Sequence, residues 1–155
     1  HPMAKQYWLM KSEPEVYSID DLEADGTTCW EGVRNYEARN NMQEMRKGDR
    51  VLFYHSATRP PHVAGIAEVV KEAYPDHYAF VEGHDYYDEK SDPDDPTWYM
   101  VDVGFVEKFD EPVELSEIKD RNELEDMVLV NRMRLSVQPA TKSEFDLVRK
   151  MAQGS

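Results

Sequence analysis

The stretch Trp30-Glu31-Gly32-Val33-Arg34-Asn35-Tyr36-Glu37-Ala38-Arg39-Asn40 concentrates recognition chemistry. An indole stands beside a glycine, and two guanidiniums, three side-chain amides (counting Asn41) and a phenol follow within about three helical turns. Indole and guanidinium together suit a flat or anionic ligand held between them. Gly48-Asp49 then turns into the apolar run Val51-Leu52-Phe53-Tyr54, which ends in His55-Ser56. The polar cluster thus lies between a loop and a strand, where aromatic rings can wall a pocket. The same residues also fit a plainer role, a buried Trp anchoring a surface helix with solvated arginines.

Recognition of a planar heterocycle is the chemistry these residues suit best. A base lifted out of its strand needs a ring face to stack on and hydrogen bonds to its edge. Trp30, Trp98 and Tyr54 can supply faces. Ser12, Asn35, Ser56 and the backbone at Gly32 and Val33 can meet the edge, with His55 beside them. Lys11 is placed to join the base contacts or, with Arg34, Arg39 and Arg134, to hold flanking phosphates. Covalent catalysis is less well served. Ser12-Glu13 and His55-Ser56 contain a nucleophile and a base, but neighbours on a strand point to opposite faces. No Gly-x-Ser-x-Gly elbow and no Gly-rich phosphate loop occurs. No catalytic residue is therefore assigned. His77, His84, Asp85 and Asp88 lack the fixed spacing of a closed metal site and read as a solvated acidic loop, so neither a metal nor a cofactor is expected.

With 155 residues the chain is one domain by size, expected over residues 5–152. His1-Pro2 ahead of Met3, and the trailing Gly154-Ser155, read as cloning remnants. The single cysteine, Cys29, rules out an internal disulfide and fits a reducing compartment: bacterial cytoplasm, or the nucleus if the source is eukaryotic. No apolar run approaches the ~20 residues that span a bilayer, so no membrane partner is expected. The net charge is −14, which weighs against a general binder of long duplexes. Its distribution matters, however. Residues 68–126 hold twenty acids against five bases, whereas the rest holds twelve acids and thirteen bases. A basic rim around one pocket is compatible with a strongly acidic back, and that acidic face could itself be a protein-interaction surface.

The positioning elements follow in order. Gln6 to Met10 reads as a strand leaving through Lys11-Ser12-Glu13-Pro14, and Ser18 caps a short helix closed by Asp25-Gly26. Arg34 to Met45 is a helix and Arg50 to Ser56 a strand, which pairs as a hairpin with Val63 to Val70. Gly65 and Ala67 leave one face of that second strand open to close approach. Residues 83–97 form an acidic loop, and Trp98 opens a strand running to about Phe109 that turns at Glu111-Pro112. Leu115 to Lys119 is a short helix, Arg132 to Pro139 contains a strand edge, and Thr141-x-x-Glu144 caps the last helix. Strands separated by short helices without βαβ spacing predict an α+β fold with a curled antiparallel or mixed sheet.

Several of these segments resemble the EVE domain. The resemblance is carried by Tyr7-Trp8-Leu9-Met10-Lys11-Ser12-Glu13-Pro14, Trp30-Glu31-Gly32-Val33-Arg34-Asn35-Tyr36 with Ala38-Arg39-Asn40, and Gly48-Asp49 leading to Phe53-Tyr54-His55-Ser56. Val63 to Val69, Tyr87-Asp88, Pro96-Thr97-Trp98 with Val101-Asp102-Val103, and Arg134 to Pro139 extend it across residues 5–150. Glu37 departs from the pattern, which more often has Gln there. The resemblance implies a PUA-like pseudo-barrel of mostly antiparallel strands with flanking helices, related to the YTH and ASCH domains. It also implies non-catalytic reading of an unpaired or flipped modified base, such as methylated or hydroxymethylated cytosine in DNA or a modified base in RNA. By analogy with the YTH aromatic cage, Trp30 would be the first cage ring and Trp98 the second. The alternative it leaves open is an ASCH-like hydrolase of modified nucleosides, with Lys11, Glu13 or His55 as base. One buried methyl contributes about 0.8 kcal/mol. Selectivity from the methyl alone is therefore roughly tenfold or less, unless the unmodified edge leaves a pocket group unpaired.

Overall fold

The computed structural model describes residues 5–132 and 134–153. Among them, six strands form one mixed sheet in the order β2-β5-β4-β3-β1-β6. The strands are β1 (Tyr7–Ser12), β2 (Thr27–Cys29), β3 (Arg50–His55), β4 (His62–Pro75), β5 (Tyr99–Glu114) and β6 (Val137–Ala140). The helices are α1 (Ile19–Asp25), α2 (Tyr36–Glu44), α3 (Leu115–Lys119), α4 (Val128–Asn131) and α5 (Lys142–Ala152). All pairings are antiparallel except β1 with β3.

Strand alternation divides the apolar residues between two cores. Trp8, Met10, Val51 and Phe53 face one way and pack with Trp30, Val33, Ala38 and Met42 beneath α1 and α2. Leu9, Leu52 and Tyr54 face the other way, against Leu115, Ile118, Phe145 and Val148 of α3 and α5. Both faces are covered, so β1 and β3 are apolar almost throughout rather than half polar. Register shifts punctuate the pairing of β4 with β5 between Val63 and Gly65, Ile66 and Ala67, and again beyond Val69. Such irregularities sharpen twist and curl a sheet. Gly65 shows the close approach expected of it: a Cβ there would stand 2.3 Å from the Glu107 carbonyl oxygen.

Several expected boundaries move. α2 begins at Tyr36 rather than Arg34, because Asn35 is its N-cap and accepts from the Ala38 amide at 2.9 Å. β4 and β5 extend well past their expected ends, and Pro112 lies inside β5 instead of turning the chain. Buried Asp49 fixes the entry to β3: it accepts from Trp8 Nε1 at 3.0 Å, from the Gln6 amide at 3.1 Å and from the Arg46 amide at 2.9 Å. None of the helices described is long and apolar enough to cross a membrane, and no group of three or more potential ligand residues among the described residues could hold a metal.

Candidate functional site

Because β1 and β3 are parallel, their C-terminal ends coincide, and Lys11 lies in register with Tyr54. A cavity of about 750 Å³ opens there. One wall comes from these strand ends, with Lys11, Ser12, Tyr54 and Ser56. A second comes from Trp30 to Arg34, and the rim from the loops at residues 13–17 and 57–61, Tyr86 and Arg134. The Lys11 ammonium stands 5.7 Å from the Tyr54 ring centroid. Burial lowers the Lys11 pKa and pushes the Tyr54 phenol up to about 12, so the phenol stays a hydrogen-bond donor at neutral pH.

Trp30 continues directly from β2. Its amide donates to the Val101 carbonyl at 2.8 Å, and its ring meets Phe53 edge-on at 5.4 Å. The indole is 9% exposed and belongs to the first core, yet it lines the cavity. It is both a packing residue and a wall. Gly32 follows with φ +83°, where a Cβ would stand 2.4 Å from the Tyr86 ring; glycine alone meets both demands at low cost.

Asp76, fully buried, holds this loop in place. Its carboxylate accepts from the Gly32 amide at 2.9 Å, from the Arg34 guanidinium at 3.0 Å and from the Tyr78 amide at 3.0 Å. Arg34 also donates to the Tyr86 carbonyl at 2.6 Å and to the Val33 carbonyl at 3.0 Å, with its guanidinium 5.6 Å from the Tyr86 ring and 5.5 Å from that of Trp98. A charge buried and paired in this way holds structure, since removing either partner strands the other.

Of the residues singled out from the sequence, Lys11, Ser12, Trp30, Gly32, Val33, Arg34, Tyr54, Ser56 and Arg134 line the cavity. Four others do not. Trp98 lies outside it: its indole donates to Asp88 at 2.7 Å and stacks on Tyr36 at 5.0 Å. The aromatic ring at the rim on that side is Tyr86. His55 faces away, accepting from the Ile19 amide at 3.1 Å and paired with His62 at 3.0 Å. Asn35 is occupied as a helix cap. Arg39 is held by the Thr97 carbonyl at 2.9 Å and by Asn40. Arg34, expected at a phosphate, has its guanidinium engaged by Asp76 and Tyr86. Arg134, by contrast, is exposed, has no hydrogen-bond or ion-pair partner among the described residues, and also borders a smaller hollow of about 280 Å³ with Asn35, Asn131, Arg132 and Leu135. Glu37, the departure from the family pattern, pairs with Arg132 at 2.7 Å.

Sequence reasoning missed Asp76, Tyr86 and the pair Cys29 and Glu31. The Cys29 thiol donates to Glu31 Oε2 at 3.2 Å; burial and then that carboxylate push its pKa up to about 12. The cysteine is thus a protonated donor and not a nucleophile. Only Gly32 hinted at Tyr86, by requiring something close to its missing side chain.

The family profile of the EVE domain matches residues 6–151. Human thymocyte nuclear protein 1 is 44% identical over 166 residues, which cover 95% of this chain and 74% of that protein. A solved structure of a hypothetical protein from Leishmania major superimposes with a TM-score of 0.94 at 49% identity, covering 97% of this chain and 96% of that one. The human THYN1 protein solved in complex with 5-methylcytosine containing DNA gives 0.92 at 44% identity, covering 96% and 98%. The YTH domain of Zygosaccharomyces rouxii MRB1, solved with N6-methyladenosine RNA, gives 0.58 at 12% identity over 97% and 88%, which shows the shared fold. The α+β sheet with its flanking helices is thus a PUA-like pseudo-barrel, and the chain belongs to the EVE domain family.

Proposed function

We propose that residues 5–152 act as one non-catalytic reading unit, which accepts an unpaired or flipped modified base of a nucleic acid in the cavity beside Trp30. The observation that carries this is the roughly 750 Å³ hollow lined by Trp30 and Tyr54, in a chain 44% identical to a protein solved with 5-methylcytosine DNA. The indole and phenol offer ring surfaces. Lys11, Ser56, the Gly32 carbonyl and the Val33 amide offer edge contacts, the Gly32 amide and the Val33 carbonyl being engaged by Asp76 and Arg34. Ser12 serves mainly to shape the wall, since its hydroxyl donates to the Tyr17 carbonyl at 2.6 Å. Arg134 is the rim cation best placed for a flanking phosphate. A methylated cytosine is the base this reading favours, because the human THYN1 protein was solved with 5-methylcytosine containing DNA.

Fluorescence-anisotropy titration of labelled single-stranded oligonucleotides carrying one 5-methylcytosine or one cytosine tests it. We expect the methylated strand to bind more tightly by up to about tenfold. Trp30 is also a core residue, so Trp30→Phe is a better probe than Trp30→Ala. Base stacking on an aromatic ring contributes about 1–3 kcal/mol, and the smaller ring should weaken binding several-fold while the melting temperature moves little. Equal and negligible binding to every strand would end the proposal. The competing reading, hydrolysis of modified nucleosides, is favoured by one observation: burial lowers the pKa of Lys11 on the cavity wall, with Glu13 at the rim. Turnover of methylated or acylated nucleosides, followed by mass spectrometry and abolished by Lys11→Met, would support it.

A further inference from the structure

A reader of 5-methylcytosine faces a competitor that the methyl group cannot exclude. Thymine carries the same methyl at the same ring position and differs at position 4, where cytosine has an amino group and thymine a carbonyl oxygen. The unpaired edge of cytosine presents a donor and two acceptors; that of thymine presents an acceptor, a donor and an acceptor. A pocket group that accepts a hydrogen bond at position 4 and cannot donate one therefore discriminates between them, as does a donor that faces position 3.

Two carboxylates line the cavity, Glu13 and Glu31. Glu13 is exposed at the rim, whereas Glu31 is half-buried beside the indole. The backbone on both sides of Glu31 is pinned, at Trp30 by the Val101 carbonyl and at Gly32 by Asp76. Its Oε2 accepts the Cys29 thiol at 3.2 Å. Oε1 has no partner among the described residues, and no Lys or Arg neutralises the group there. Lys11 and Tyr54 bring an ammonium and a phenol to the same cavity, the Ser56 and Ser136 hydroxyls can give or take a hydrogen bond, and the Ser12 and Thr28 hydroxyls are turned to the protein's own carbonyls. Beside the indole, Glu31 thus supplies a group that accepts and cannot donate, in a wall that also offers donors, the complement of an amino-bearing base.

We propose that Glu31 is a specificity-determining residue: its free carboxylate oxygen accepts from the exocyclic amino group of the bound base and repels the carbonyl of thymine or uracil. This rests on the base-reading role of the cavity. Cys29 is its positioning residue, a thiol that stays protonated and holds the second oxygen.

The test is a two-by-two set of otherwise identical labelled single strands carrying 5-methylcytosine, cytosine, thymine or uracil at one central position. It separates the methyl from the amino group and removes the cost of unpairing. For the wild-type protein we expect 5-methylcytosine over thymine by roughly 10–100-fold, the range of a good edge contact. Glu31→Gln, whose amide can donate to a carbonyl, should bring that ratio to within about threefold while the ratio of 5-methylcytosine to cytosine stays as it was. Glu13→Gln should change neither ratio, and Cys29→Ala, which keeps the carboxylate but releases its second oxygen, should lower the ratio of 5-methylcytosine to thymine to a value between wild type and Glu31→Gln, with the ratio of 5-methylcytosine to cytosine unchanged. Wild-type binding of thymine as tight as 5-methylcytosine would overturn the inference, as would an undiminished ratio in Glu31→Gln or its collapse in Glu13→Gln. A wild-type protein that binds none of the four strands would instead overturn the base-reading proposal on which this rests.

Discussion

Asp76 and Glu31 are both acidic and both next to Gly32, in space or in sequence, yet their surroundings give them opposite parts. Asp76 is saturated by an arginine and two amides and holds structure, while Glu31 keeps an oxygen for a ligand. Gly32 joins the two. A side chain there would require a left-handed backbone conformation that costs about 1–2 kcal/mol for an L-residue, and it would push against Tyr86. Gly32→Ala should therefore lower stability by about 1–3 kcal/mol and weaken binding of the methylated strand several-fold, measured by urea denaturation and anisotropy. Wild-type values in both would show that the Gly32–Tyr86 contact has no role. Asp76 was not legible in the sequence, because its partner lies elsewhere in the fold: it reaches back 44 residues to Gly32. Glu31 has a partner only two residues away in Cys29, but its place on the cavity wall depends on how the surrounding strands pack.

At the scale of elements, α1 is docked by a relay of imidazoles. The Ile19 amide donates to His55 Nε2, which places the His55 proton on Nδ1, facing His62 Nε2 at 3.0 Å; His62 Nδ1 then donates to the Pro60 carbonyl at 2.9 Å. Burial, and secondly the neighbouring His62, hold the His55 pKa down at about 4; Asp20 opposes this and Lys108 adds to it. The neutral ring is the native form. Between pH 6.5 and 4 the unfolded chain binds a proton that the folded chain refuses, so stability falls as pH drops through that window. The effect on unfolding free energy should be on the order of 2–3 kcal/mol, read from urea midpoints at pH 7 and 4.5. His55→Leu should be less stable at pH 7 but show a flatter dependence, and an equally steep one would refute the assignment. The helix itself was legible, since Ser18 and Asp21 form a local capping box; the relay was not, because it spans 36 residues. Pro112 misled for a related reason. β2 pairs with β5 only around residues 102–104, so at Pro112 one side of β5 lies beyond β2 and a missing amide is tolerated, as on an edge strand.

Over the whole molecule, the excess of acid in residues 68–126 confines attraction for phosphate to a small rim. A count of arginines in the sequence overstates that rim, because Arg34 and Arg39 are engaged within the protein. Arg134 remains. Arg134→Ala should weaken binding of all strands alike and reduce the slope of log affinity against log salt by about 0.7, the value for one phosphate on a single strand. Arg39→Ala should leave that slope unchanged. Anisotropy titrations over a salt series check both, and a larger effect at Arg39 would reverse the assignment. The sheet and its principal helices could be read from alternation, caps and turns because these are local patterns. The cavity could be anticipated only as a collection of parts, since which side chains enter it depends on partners far along the chain.

The buried carboxylate at position 76 has an engineering consequence. It ties the segment bearing the indole to the one after β4, from which Tyr86 reaches back, so the recognition surface is a cassette of non-contiguous pieces. Transplanting Trp30 to Arg34 alone into a related scaffold would leave an arginine without its counter-ion and a glycine amide without its acceptor. Retargeting the pocket to another base therefore calls for exchanging those segments together.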